Sequence, residues 1–183
     1  MDAAWALVTE HGLRAVTMSQ IAARAGIGRA TLYKYFPDVE AILLAWHQRH
    51  VAAHLAELHE LAARPAGPRQ RLETVLEAYA RISLHRGRHA VELDTLLHDR
   101  EDVAQSQRRV RAMVESLVAA ASEAGDVRDD VSPRRLASFA VHALAAAAEL
   151  ASEEPLGRLV ALTMDALRAR PDPDRSAAGG TAS

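Results

Sequence analysis

Apolar positions recur three or four residues apart along most of the chain, which is the spacing of one buried face of an α-helix. A clear example is the stripe formed by Leu72, Val75, Leu76, Tyr79 and Ile82. Few runs of Val, Ile or Thr alternate with polar residues, so we expect no sheet. The pattern therefore predicts an all-α fold with about nine helices.

Glycines, prolines and capping residues divide this pattern into segments. Gly12 should end the first helix, Asp38 should cap a long one, and Ser132 should cap a helix whose first residue is Pro133. Residues 171–183 are rich in small and polar side chains and should form a disordered tail. The longer predicted helices span about 2–11, 39–63, 68–86, 88–98, 101–124, 133–150 and a last segment after Pro155.

Residues 17–36 have the pattern of two short helices joined by a tight turn. Ser19 can cap the first helix, and Gly26 can end it in a left-handed conformation. Ile27 is apolar and should fill the gap between the two helices. The second helix should run from about Gly28 to Tyr35. Two helices joined by a short turn with glycine form a helix-turn-helix unit, whose second helix enters the DNA major groove.

The faces of the second short helix differ in character. Leu32 and Phe36 lie four residues apart and should face inward. The opposite face carries Arg29, Ala30, Thr31, Tyr33 and Lys34.

Charge along the chain supports this interpretation. The window from His11 to Pro37 has no Asp or Glu and carries four Arg or Lys side chains, whereas the rest of the chain carries a net charge of −6. A local cationic surface on a mildly acidic protein suits phosphate binding. There is no cysteine, which excludes disulfides and thiolate metal sites. No secretory or membrane-spanning stretch is evident, so we expect a cytoplasmic protein without membrane contact.

Several residues of this region stand at the spacing of a known domain: Gly12, Thr17-Met18, Ile21-Ala22, Ala25-Gly26-Ile27, Thr31-Leu32-Tyr33, Tyr35-Phe36, Pro37 and Glu40-Ala41. In these features residues 3–46 resemble the N-terminal domain of the TetR family of bacterial transcriptional repressors. The resemblance implies a helix-turn-helix DNA-binding domain over 1–46. It further implies a helical domain over 47–170 that binds an effector and forms a homodimer.

The resemblance also suggests roles in binding an operator in double-stranded DNA. Arg29 is the candidate for a bidentate guanine contact, and Thr31 for a thymine methyl or a phosphate. Thr17 and Ser19 could donate to phosphate or simply cap their helix, and both roles can coexist. The full set of predicted DNA-binding residues is Thr17, Ser19, Arg29, Ala30, Thr31, Tyr33, Lys34 and Tyr35.

In the larger domain the resemblance implies a pocket for a small-molecule effector, and a hydrophobic one would suit its apolar surroundings. Candidate lining residues are Tyr79, His85, His89, Leu93, Met113, Leu117, Phe139 and His142. The last two helices should pair with those of a second subunit. The predicted dimer interface contains Phe139, Ala143, Ala147, Leu150, Leu156, Leu159, Val160, Thr163, Met164 and Leu167.

A second hypothesis comes from the histidines. The long fourth helix holds His47, His50, His54 and His59, and His85 and His89 are four residues apart. Imidazoles at helical spacing can bind metal, so a helical metal-binding enzyme is the alternative. No carboxylate or cysteine completes a ligand set, and we predict neither a metal nor a cofactor. The predicted function is therefore non-enzymatic: a transcriptional repressor released from its operator by a ligand, although the residues do not distinguish repression from activation.

Overall fold

A computed structural model of the chain describes residues 1–87 and 101–169. It consists of helices, as the pattern predicts: α1 (Asp2–His11), α2 (Met18–Arg24), α3 (Arg29–Tyr35), α4 (Val39–Ala62), α5 (Pro68–Gly87), α6 (Glu101–Glu123), α7 (Pro133–Ala145) and α8 (Leu156–Leu167). Short 3-10 turns cover Leu13–Ala15 and Ala146–Glu149. The predicted helix over 88–98 and the predicted tail over 171–183 lie outside the described residues.

The helix ends follow the local signals in most places. Gly12 has a positive φ of 78° after α1, and Gly125 has one of 79° after α6. The Asp38 carboxylate accepts from the Ala41 N–H at 2.7 Å and so caps α4. Ser132 stands at the predicted cap position of α7, but its side chain makes no capping bond. Its backbone carbonyl accepts from Arg135 instead.

The seventh helix is shorter than its apolar pattern suggested. We expected one α-helix from 133 to about 150, but the α-helix ends at Ala145 and the chain tightens into a 3-10 turn to Glu149. This turn packs against α5, and Ala147 within it is fully buried. Tertiary packing therefore sets this boundary, since the alanine-rich sequence there would also suit a continued α-helix.

Two apolar clusters make up the interior of the described chain. The smaller one joins α1, α2 and α3 to the start of α4, and contains Ile21, Leu32, Ile42 and Leu43. The larger one is built from α5 to α8 and receives Leu58 from the far part of α4. Helix α4 therefore belongs to both clusters. The predicted domain boundary near residue 46 stays a prediction, which this division supports. Among the described residues, no helix is long and apolar enough to cross a membrane.

Candidate nucleic-acid interface

Helix α2 begins at a different cap residue from the one predicted. Thr17, not Ser19, is the cap residue, with extended backbone at φ −119° and ψ 155°. Gln20 N–H donates to Thr17 Oγ1 at 3.3 Å, while the Thr17 N–H and hydroxyl both donate to Gln20 Oε1 at 2.8 Å. This is a capping box, and the Thr-x-x-Gln spacing was the signal that could have revealed it. Ser19 lies exposed in the first turn.

The turn between α2 and α3 has the expected glycine. Gly26 has φ 66°, and the Ile27 N–H donates to the Ala22 carbonyl at 3.0 Å, which closes the end of α2. The expectation that Ile27 fills the gap between the helices is wrong, because 42% of it is exposed. Ile21 and Leu32, both buried, occupy the interior of this unit instead.

Helix α3 exposes one broad surface. Leu32 is its buried residue, and Phe36, just past its end, is half-buried against the same cluster. The N-cap residue Gly28 has no side chain to bond the first turn. The six predicted DNA-binding residues on this helix are all exposed: Arg29, Ala30, Thr31, Tyr33, Lys34 and Tyr35.

The charges on this surface are arranged unevenly. The Arg29 guanidinium carbon lies 5.5 Å from the centroid of the Tyr33 ring, a cation–π arrangement on one face of α3. Arg24, counted among the four cations of the acid-free window, forms a bidentate pair with Glu10 at 2.5 and 2.6 Å. Hydrogen bonding to that carboxylate raises the pKa of Arg24, and the guanidinium lowers the pKa of Glu10. Arg24 therefore joins α2 to α1, and it adds less positive charge than the count implied.

Helix α1 packs against α4 through aromatic rings and hydrogen bonds. The indole rings of Trp5 and Trp46 stack with centroids 4.3 Å apart and planes 12° from parallel. Trp46 Nε1–H donates to Asp2 Oδ1 at 3.1 Å, and Arg49 also pairs with Asp2. Hydrogen bonding to Arg49 lowers the pKa of the Asp2 carboxyl. These contacts join the first helix to the long one, and the small cluster completes the unit.

Two family profiles match nearly the whole described chain. Residues 1–46 match the profile of bacterial regulatory proteins of the tetR family, and residues 38–169 match the SbtR-like transcriptional regulator C-terminal domain. The chain belongs to the TetR family. This confirms the resemblance predicted from residues 3–46.

Relatives and solved structures agree with the TetR assignment. An uncharacterised helix-turn-helix transcriptional regulator of Mycobacterium bovis is 39% identical over 58 residues, which are 32% of this chain and 31% of that protein. The match thus spans about a third of the length of these curated relatives. A TetR/AcrR-family regulator of Thermobifida fusca has the same fold with a TM-score of 0.76 and 22% identity, covering 91% of this chain and 95% of that one. FadR of Bacillus subtilis, solved in complex with stearoyl-CoA, matches with a TM-score of 0.66 and 16% identity. The match covers 93% of this chain and 97% of that one.

The candidate effector residues of this TetR-family chain do not form one group. Met113 and Leu117 are buried on α6, and Tyr79 of α5 packs against the same cluster. His85, Phe139 and His142 are exposed, and His142 Nδ1 lies 2.7 Å from the Ser138 carbonyl oxygen. The candidates His89 and Leu93 lie outside the described residues.

The candidate dimer residues divide in a similar way. Six are buried within one protomer by its own core: Ala147, Leu156, Val160, Thr163, Met164 and Leu167. Ala143, Leu150 and Leu159 are partly accessible, whereas Phe139 is 47% exposed. Leu162 of α8, which is not among the predicted interface residues, is 68% exposed. Helical periodicity marked the apolar positions of this TetR domain, but it could not say which neighbour covers them.

The histidines do not assemble a metal site in the described part of the chain. There, no three His, Asp or Glu side chains are placed to hold an ion. The His85 and His89 pair extends beyond the described residues. The relatives and structural neighbours are transcriptional regulators, not enzymes, so the TetR family gives the metalloenzyme hypothesis no support.

Proposed function

We propose that the protein is a cytoplasmic, homodimeric repressor that reads an operator with α3 and releases it when a small hydrophobic ligand binds. The observation that carries this is the exposed face of α3, where Arg29 rests on Tyr33 beside Thr31 and Lys34. An exposed arginine at the start of a recognition helix can reach base edges in the major groove. The phenol of Tyr35 and the ammonium of Lys34 suit phosphate contacts, which fix register without reading sequence.

Selection of binding sites from random duplexes tests the DNA step. The expected result is a site with two half-sites about one helical turn apart, roughly 34–36 Å, because each subunit presents one α3. Recovery of no common sequence at low salt would contradict the proposal. A reporter gene behind the selected site then distinguishes repression from activation by the sign of the change in transcription.

The dimer surface that we propose consists of accessible residues, not the buried ones. On α7 and the turn after it, Phe139, Ala143 and Ala146 share a face at spacings of four and three. On α8, Leu159 and Leu162 are three residues apart on one face. The two helices pack against each other, so these stripes belong to one end of the larger domain. Two copies can join them into a four-helix contact.

A charge placed on this surface tests the dimer. Leu162→Glu should convert the dimer to a monomer in sedimentation experiments, because it places a carboxylate in the proposed apolar contact. Ala161→Glu is the matched control, since Ala161 is also exposed on α8 but points about 100° away around the helix. A dimer that survives Leu162→Glu would refute this surface.

For the effector we propose a long acyl thioester, with Tyr79, Met113 and Leu117 among the residues that contact its chain. The support is the stearoyl-CoA complex of FadR, which has the same fold, and the shared cluster that holds these three side chains. Stearoyl-CoA should raise the melting temperature and release operator DNA, whereas free coenzyme A should do neither. Met113→Trp would fill the proposed space and abolish the response. Release by coenzyme A alone would contradict an acyl-chain site.

A further inference from the structure

Four aromatic rings form a row that starts in the DNA-reading domain. Trp5 of α1 stacks on Trp46 of α4, and the Trp46 and His50 ring centroids are 3.8 Å apart at 34°. His50 and His54 follow with centroids 6.4 Å apart, edge to face. The three positions on α4 are spaced four residues apart, so they lie along one side of that helix. The row therefore extends from α1 toward the larger domain.

The hydrogen bonds of the row fix where a proton can add. His50 Nδ1 lies 3.0 Å from the Trp46 carbonyl oxygen. A carbonyl only accepts, so this nitrogen carries the hydrogen and Nε2 of the neutral ring is the free base. At the other end, Asp2 holds Trp46 Nε1 and pairs with Arg49. The indole end of the row is therefore held by the first helix.

The surroundings of His54, at the imidazole end of the row, disfavour its charged form. His54 is partly buried, and the titratable groups that act on it in the described chain are His50 and Glu57 of α4 and His85 of α5. Burial, and then His50, lowers the pKa of His54, while Glu57 opposes the shift. His85 Nε2 in turn lies 3.9 Å from Glu153 Oε1, in the segment before α8.

The sign of the linkage follows from that direction. A lowered pKa means that the packed arrangement favours neutral His54. The stabilisation is complete above the ordinary histidine pKa of about 6.5, and it is lost as the pH falls through the lowered value. Each unit of difference in pKa between two arrangements corresponds to about a tenfold change in their ratio.

We propose that the Trp5–Trp46–His50–His54 row is a proton-sensitive link between the DNA-reading domain and the larger domain. A proton on His54 places a charge at a partly buried position beside His50 of α4 and His85 of α5, so α4 moves relative to α5. Because Trp46 lies on the same side of α4, that movement disturbs its stack with Trp5 and changes how α1 holds the reading head. Acidification therefore lowers the preference for operator over random DNA.

Circular dichroism can follow the stack directly, since Trp5 and Trp46 are the two tryptophans of the chain. Stacked indoles couple their transitions and give a paired signal that separated indoles lose. On titration from about pH 8 to pH 5 the native signal should fall with a midpoint below about 6.5. His54→Gln should hold it constant. His59→Gln is the matched control, because His59 is another histidine of α4 that lies exposed and outside the row of rings.

Two further variants keep the test informative if His54→Gln folds poorly. Glu57→Gln removes the carboxylate that favours charged His54, so the midpoint should move to lower pH. His85→Gln removes a like charge, so it should move to higher pH. The proposal would be overturned if the signal of the native protein did not change with pH. It would also be overturned if the titration midpoint were the same in Glu57→Gln and His85→Gln as in the native protein.

The DNA measurement rests on the proposed function, whereas the stacking signal does not. The ratio of operator to random affinity should fall between about pH 8 and pH 5 in the native protein and stay level in His54→Gln. A ratio that falls equally in both proteins would refute the link. Failure to bind any DNA at any pH, with a normal stacking titration, would instead contradict the proposed function.

Discussion

Removal of Arg29 should cost this protein more selectivity than any other single change on α3. The side chain is exposed, and within the described residues no salt bridge holds it. Its resting contact is the Tyr33 ring, 5.5 Å away. Arg29→Ala therefore removes a cation that can reach DNA, and the substitution should leave the fold of the small domain intact.

The size of the loss follows from two opposing contacts. A bidentate arginine–guanine contact is worth about 1–3 kcal/mol of discrimination. An exposed cation–π contact is worth about 0.5–1 kcal/mol. If Arg29 must leave Tyr33 to reach the base, the net cost of Arg29→Ala is roughly 0–2.5 kcal/mol, or at most about seventyfold in operator affinity. If it keeps the ring contact while bound, the full 1–3 kcal/mol is lost.

Fluorescence anisotropy with the selected operator and with a scrambled duplex measures the specific and the non-specific affinity. Arg29→Ala should weaken operator binding by the amount above and scrambled DNA by less. Arg29→Lys keeps the charge but cannot make the forked contact, so it should lose operator affinity alone. Tyr33→Phe keeps the ring beneath Arg29 and tests whether the hydroxyl contributes. Equal losses on both duplexes for Arg29→Ala would refute the assignment of base reading.

Three further predictions concern the exposed surface of α3, the cap of α2 and the contact between α1 and α4. Lys34→Ala should weaken binding to all sequences and lower the slope of log affinity against log salt by about one, as titrations with salt will show. Thr17→Ala should lower the free energy of unfolding in urea by about 0.5–2 kcal/mol because it removes the cap, whereas Ser19→Ala should leave stability unchanged. The Asp2 carboxyl, whose pKa Arg49 lowers, contributes stability above its ordinary pKa of about 3.9 and loses it as the pH falls further. Asp2→Asn should therefore weaken the indole stacking signal already at neutral pH.

The sequence predicted the reading unit well because its signals are local. The turn needs a residue in the left-handed conformation, and Gly26 supplies it. The residues on either side of Gly26 then fix the ends of the two short helices to within a few positions. The capping error shows where local reasoning needs one more step. Thr17 and Ser19 are both good cap residues when each is considered alone. The choice between them depends on the Gln20 side chain, which accepts a hydrogen bond from the Thr17 N–H and completes the capping box.

Features that depend on packing between distant segments could not be predicted in this way. The acid-free window begins at His11, directly after Glu10, and the fold brings the Glu10 carboxylate into contact with Arg24. A charge count along the chain therefore overstated the positive charge around α2 and α3. The broad apolar faces of α7 and α8 likewise gave no sign of which positions the protomer itself buries, such as Val160, and which it leaves open, such as Leu162.

Helix α4 limits how a ligand signal can reach DNA. Its first part packs in the small cluster through Ile42 and Leu43, and its far part packs in the large cluster through Leu58. A ligand shifts an equilibrium only by binding one arrangement more tightly than another. In the proposed function the effector therefore favours a position of α4 that the operator-bound protein does not adopt, and the Trp5–Trp46 stack carries that movement to α1. Shortening Trp46 to Leu should then leave effector affinity nearly unchanged while it weakens the release of DNA, because the stack transmits the movement and does not touch the ligand.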